Sequence, residues 1–168
     1  MTAKIITIDG PSGVGKGTLA AKLADYLCYH LLDSGALYRL SAVNAKRLGL
    51  NPENASDAAK AVDDLSVDFK QGKVFLHNKD VSQAIRTQET GQLASKIAVH
   101  PVVRDKLFAF MQDFVRAPGI IADGRDMGTV VFTNADLKLF LTASAEVRAK
   151  RRYKQLKDNG KDVILDEV

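Results

Sequence analysis

The apolar run Ile5-Ile6-Thr7-Ile8 leads straight into Gly10-Pro11-Ser12-Gly13-Val14-Gly15-Lys16-Gly17-Thr18, and a helical pattern over 16–28 follows. This order of strand, glycine-rich loop and helix constrains the fold more than any other feature. A strand that feeds a helix in this way opens a βαβ unit, and the parallel strand that comes next needs a helical crossover to reach its place. Gly10 and Gly15 allow backbone conformations closed to other residues, so successive N–H groups can turn inward as an anion cradle. Lys16 adds a mobile cation, and the helix adds the positive end of its dipole. The segment reads as a P-loop that binds a nucleoside triphosphate. Gly17 stands where a metal-binding hydroxyl is usual, which leaves Thr18, acting through water, as the metal-facing residue.

A chain of 168 residues with 46% hydrophobic and 26% charged content buries one good core, which excludes the disordered and membrane classes. No apolar run approaches the roughly 20 residues of a membrane span, and the amino terminus passes into a strand without a signal-peptide pattern. The expectation is a cytoplasmic protein with no membrane partner. The lone Cys28 cannot form an internal disulfide and is expected to pack at the end of the first helix. A net charge of +4 suits small polyanions such as nucleotides as well as it suits nucleic acid, so charge does not separate the two.

Strand patterns fall at 4–9 and 30–33, with a helix beginning near Gly35. A short helix is expected over 57–64, then a hairpin from Val67-Asp68-Phe69 through Gln71-Gly72 to Val74-Phe75-Leu76. Helices are expected at 87–99 and 102–116, strands at 118–123 and 136–141, and a basic helix from Ala145 capped by Ser144. The predicted fold is α/β with a parallel core sheet, the hairpin region being an insertion between the second and third core strands.

Two further segments converge on the same crevice. Leu32-Asp33-Ser34-Gly35-Ala36-Leu37-Tyr38-Arg39 opens the second helix, and Asp123-Gly124-Arg125-Asp126-Met127-Gly128 follows a strand at its carboxyl end, where open α/β sheets bind ligands. Arginines suit phosphate because their planar fork binds its oxygens bidentately, and phosphoryl transfer is driven mainly by alignment and electrostatics. Lys16 fits the donor side, Arg39 and Arg125 the acceptor phosphate. Asp123 has three open roles: orienting Arg125, orienting a metal-bound water, or accepting a proton.

With the Lys16-Gly17-Thr18 ending of the loop, these segments closely resemble the bacterial cytidylate kinases of the nucleoside monophosphate kinase group, along essentially the whole chain. The resemblance implies a P-loop NTPase fold of three α/β/α layers, with a core at about 1–35 and 100–147. It also implies a monophosphate-binding insertion at about 36–99 that contains a small antiparallel sheet, and the start of a lid at about 148–168. It implies γ-phosphoryl transfer from ATP to CMP or dCMP with Mg²⁺, much of whose coordination comes from phosphates and water. Lys16, Arg125 and Asp123 would be catalytic. ATP would contact Gly10 through Thr18 together with Arg151 and Arg152, the lid members of a basic run that includes Arg148. Ser34, Tyr38, Arg39, Arg104, Asp123, Arg125 and Asp126 would line the monophosphate site, with Ser95 at the base. The family continues past Val168 with lid arginines, a last strand and a helix, so the resemblance implies a chain truncated at its carboxyl terminus and, from the whole pattern, a monomer without a nucleic acid partner.

Base choice follows from hydrogen-bond polarity. Cytosine offers a donor at its exocyclic amine and acceptors at N3 and O2, and uracil reverses the first two. Asp126 accepts and Arg104 donates, a pair that favours CMP over UMP. The rival readings are a P-loop kinase for UMP, AMP or a small metabolite, and a nucleotide-dependent switch. The switch lacks support, because Asn78-Lys79-Asp80-Val81 does not complete a guanine-reading motif.

Overall fold

The computed structural model describes residues 2–160. In chain order the elements are β1 (Lys4–Asp9), α1 (Lys16–Leu27), β2 (His30–Asp33), a 3₁₀ turn (Ser34–Ala36), α2 (Leu37–Leu48) and α3 (Ala55–Asp63). There follow β3 (Val67–Lys70), β4 (Lys73–Leu76), β5 (Lys79–Asp80), a second 3₁₀ turn (Ala84–Arg86), α4 (Gln88–Ala98) and α5 (Pro101–Asp113). The chain then forms β6 (Gly119–Gly124), a π-helical turn (Met127–Val131), β7 (Leu137–Phe140) and α6 (Ala145–Asp158).

Four strands make a parallel sheet in the order β2-β6-β1-β7, and β3-β4-β5 make a small antiparallel sheet. The central strands carry apolar residues on both faces because both faces are covered. Ile8 and Ile121 pack against Ala20 and Ala24 of α1. On the opposite face Ile5, Leu32, Ile120 and Ala122 share a core with Leu37 and Leu40 of α2, Ile97 of α4, and Val103 and Leu107 of α5. Leu32, Leu40, Ile97 and Ile120 are fully buried, each worth about 1.5–3 kcal/mol of transfer free energy. The result is the expected three-layer α/β/α architecture with a small antiparallel sheet.

Because the connection from β1 runs to β2 on one side of the sheet and that from β6 runs to β7 on the other, a crevice opens at the carboxyl ends of the strands. Register sets what lines it. Asp33 of β2, Asp123 of β6 and Ile8 of β1 stand abreast, whereas Asp9 pairs with Gly124 one step further on. Strand alternation therefore sends Asp33 and Asp123 to the α1 face and Asp9 to the other.

Several local expectations are corrected. Cys28 does not pack: α1 ends at Leu27, and Cys28 takes the left-handed cap position (φ 55°) with its side chain exposed. α3 starts at Ala55 rather than 57, because Asn54 caps it by accepting the Asp57 N–H. The hairpin gains a third strand, since His77 and Asn78 (φ 48° and 63°) form a second tight turn. α5 stops at Asp113 rather than 116, and the Arg116 guanidinium lies over the Phe114 ring. Ser144 caps α6 as expected, accepting from the Val147 N–H.

Candidate active site

Two clefts meet at the P-loop. A cavity of about 1260 Å³ runs between the loop and α6, and one of about 770 Å³ runs between the loop, the 34–38 segment, α5 and the 123–131 segment. Ser12, Gly13, Gly15 and Thr18 line both. Two molecules held in these clefts would therefore approach each other across the P-loop.

The P-loop takes its shape from its glycines. Gly10 (φ 147°) passes so close to Leu141 that a Cβ would run into the Leu141 carbonyl, and at Gly15 (φ 93°) a Cβ would lie 2.9 Å from Arg151 Nη1. The same contact sets Arg151 against the loop. Pro11 is half-buried and its carbonyl accepts from Lys16 Nζ at 3.1 Å, while Val14 is buried and lines the α6 cleft. Gly17 and Thr18 begin α1 and reach the second cleft, where a Cβ on Gly17 would lie 3.7 Å from Asp123 Oδ2. Arg151 and Arg152 line the α6 cleft, and Arg152 donates to Gln155. Arg148 and Lys22 line it as well, and neither had been assigned a site role from sequence.

The second cleft gathers Ser34, Tyr38, Arg104, Asp123, Arg125 and Asp126. Ser34 Oγ donates to the Asp123 carbonyl at 2.8 Å and joins β2 to β6. Arg125 Nη2 donates to Ser12 Oγ at 3.1 Å, so the loop after β6 touches the P-loop directly. Asp126 is exposed with left-handed backbone (φ 59°) and offers no side-chain cap to the turn that follows. Two residues fall outside this cleft. The Arg39 guanidinium donates to the carbonyls of Ile85 and Thr87 at 2.7 and 3.4 Å, and exposed Ser95 donates back to the Gly91 carbonyl on α4.

Sequence reasoning passed over the apolar wall formed by Leu107, Phe108 and Met111, which stand on one face of α5 with Arg104. The signal was their spacing from Arg104 of three, four and seven residues. It also passed over Asp33. Burial pushes the Asp33 carboxyl up, opposed by the Ala36 and Gly35 N–H groups and by Lys16. Asp123 is pushed up to about 6, first by burial and then by the Asp33 charge, with Asp9 adding to it and Lys16 opposing.

A folded-state carboxyl that titrates near 6, against an ordinary 3.8, binds its proton more tightly folded than unfolded. Its ionised form therefore costs stability, a cost absent below pH 3.8, growing up to about 6 and complete above. Asp123→Asn is expected to stabilise the fold by about 1–3 kcal/mol at pH 7.5 and to change it little at pH 4, while transfer activity falls. Urea unfolding at the two pH values checks this, and equal effects at both would contradict it.

A parallel sheet whose central strand feeds a P-loop at the junction of two clefts defines a P-loop phosphotransferase. The cytidylate kinase family model matches residues 6–168, and the chain belongs to the cytidylate kinase family. It is 52% identical over 164 residues to the cytidylate kinase of Cupriavidus pinatubonensis, covering 98% of this chain and 74% of the relative. The cytidylate kinase of Burkholderia ambifaria is also 52% identical (98% and 72% covered), and that of Chromobacterium violaceum is 51% identical (100% and 76%).

Proposed function

We propose that this chain transfers the γ-phosphoryl group of ATP to CMP or dCMP, giving ADP and CDP or dCDP. The observation that carries the reading is the contact of Arg125 with Ser12 where the two clefts meet, since it brings an acceptor-side cation to the donor loop. Membership of the cytidylate kinase family supports it. In this reading ATP occupies the cleft under α6, with Arg151 and Arg152 over its phosphates, and the monophosphate occupies the other. Residues at about 36–99 form the monophosphate-binding insertion on a core of about 1–35 and 100–147, and α2 and α4 of that insertion also cover one face of the sheet. The lid begins at about 148–168, of which 161–168 lie outside the described residues.

Lys16 and Arg125 hold the transferring group between donor and acceptor, where fixed charges act without reorganising. Asp123 titrates at about 6, which matches the second ionisation of a phosphate monoester, about 6. With no divalent cation beside Asp33 and Asp123 it can take the last acceptor proton with little penalty, whereas Mg²⁺ at that pair would hold Asp123 ionised and leave it an orienting charge. Asp126 and Arg104 read the cytosine edge, and Tyr38 with Phe108 supplies aromatic surface beside it. To serve the acceptor, Arg39 and Ser95 would have to leave the Ile85, Thr87 and Gly91 carbonyls that hold them outside the cleft.

Among the described residues no cluster of three or more His, Cys, Asp or Glu could hold a metal by itself. Asp33 and Asp123, abreast with Lys16 as the near cation, leave a surplus of negative charge that suits a hard divalent ion. Mg²⁺ would fit there, with phosphates and water supplying most of its coordination and Thr18, which lines the same cleft, acting through water, and it would neutralise phosphate charge. No helix among the described residues is long and apolar enough to cross a membrane, and a monomeric cytoplasmic enzyme is the reading we adopt.

Steady-state assays with ATP-Mg²⁺ and CMP, dCMP, UMP or AMP test the proposal. CMP and dCMP are expected to exceed the others in kcat/KM by about 10²-fold. Equal activity on AMP would refute it.

A further inference from the structure

Asp9 is the last residue of β1, immediately before the P-loop, and it is buried at 7% exposure. A buried carboxylate is costly unless its oxygens are satisfied. Both are. Oδ1 accepts from the Met127 N–H and Oδ2 from the Gly128 N–H, each at 2.8 Å and across nearly 120 residues of chain. These N–H groups open the π-helical turn, whose own bonds run from the Val131 and Phe132 N–H groups back to the carbonyls of Asp126 and Met127. The first N–H groups of such a turn have no partner within it, and the carboxylate takes their place.

Arg125 and Asp126 lie between two fixed points, β6 on one side and this fork on the other. The Asp9 carbonyl also accepts the Leu141 N–H at 2.8 Å, and Leu141 leads into α6. One residue thus ties the donor loop, the acceptor loop and the root of the lid helix together.

The geometry points to Asp9 as a positioning residue that sets the reach of Arg125 across the junction, through its grip on Met127 and Gly128. The inference rests on the kinase reading above, and it adds a residue that touches neither substrate. Displacing an aligned group by about 1 Å can cost about 10²-fold in rate, and a loop released from this fork has that freedom.

The test uses Asp9→Asn in the full-length protein, alone and with Arg125→Ala. Asparagine keeps one acceptor oxygen but sets its amide against the second N–H, donor facing donor. Turnover on CMP is expected to fall by about 10²-fold while KM for ATP stays within about threefold. In the Arg125→Ala background the same substitution should change turnover by less than about threefold, because Asp9 acts through Arg125. Equal losses in both backgrounds, or an equal effect on ATP, would make Asp9 a scaffold residue only and overturn the inference. Should Asp9→Asn fail to fold, Asp9→Glu, which keeps the charge one methylene further out, is expected to give the same split.

Amide hydrogen exchange at Met127 and Gly128 needs no turnover, so it separates this inference from the kinase reading. Both amides are expected to be protected in the parent protein and released in Asp9→Asn. Unprotected amides in the parent overturn the link whatever the acceptor is. Absence of transfer to CMP with protected amides would refute the kinase reading and leave the link standing.

Discussion

Lys16→Ala is expected to lower turnover by about 10²-fold or more with the fold intact. Lys16 Nζ rests on the Pro11 carbonyl, a half-exposed bond whose loss leaves that oxygen open to water. The loop keeps its shape without the lysine, because that shape comes from Gly10 against Leu141 and from the start of α1. Backbone N–H groups should therefore still bind the donor phosphates, and what disappears is the cation that follows the γ-phosphoryl group as its charge develops. KM for ATP should change much less than kcat. Circular dichroism and steady-state kinetics check the pair of expectations, and near-normal turnover would remove Lys16 from the mechanism.

Arg125→Ala is expected to lower kcat/KM by about 10²-fold or more for CMP and UMP alike, since both carry the same phosphate and the lost contact stabilises the transferring group. Asp126→Ala should differ in kind. It lowers efficiency mainly for CMP and narrows its advantage over UMP by about 1–3 kcal/mol, the cost of leaving the exocyclic amine of the bound base unmatched where the base excludes water from the cleft. The two residues are neighbours on one loop, yet Arg125 donates to Ser12 on the P-loop while the Asp126 carboxylate accepts from the Thr129 hydroxyl at 3.5 Å within its own loop. Kinetics of both variants on both acceptors decide the matter. If Asp126→Ala slows CMP and UMP equally, the account of base choice is wrong.

The features legible in the sequence are those that depend on near neighbours. The P-loop follows from glycine spacing after an apolar run, the Ser144 cap from its place before α6, and the Gln71-Gly72 turn from its flanking alternation; Gln71 and Gly72 both take positive φ. Strand boundaries at 4–9 and 30–33 fall where the pattern put them. What was not legible depends on register and on distant partners. β5 has two residues, too few for periodicity to register. Asp9 and Asp33 read as strand-end carboxylates, and only the pairing of Asp33 with Asp123 and of Asp9 with Gly124 assigns them to opposite faces with different work. Leu107, Phe108 and Met111 carry an ordinary helical stripe, and nothing local tells core from cleft: Leu107 is buried in the core cluster while Phe108 next to it is 39% exposed in the cleft.

The most direct test of phosphoryl transfer follows the phosphorus itself. ATP labelled at its γ-phosphate is supplied with Mg²⁺ and an equimolar mixture of CMP, UMP and AMP, and the labelled products are separated. Label is expected in CDP, at the β position, ahead of UDP and ADP by about 10²-fold. Label that appears only in inorganic phosphate, or spreads equally over the three diphosphates, would contradict the account.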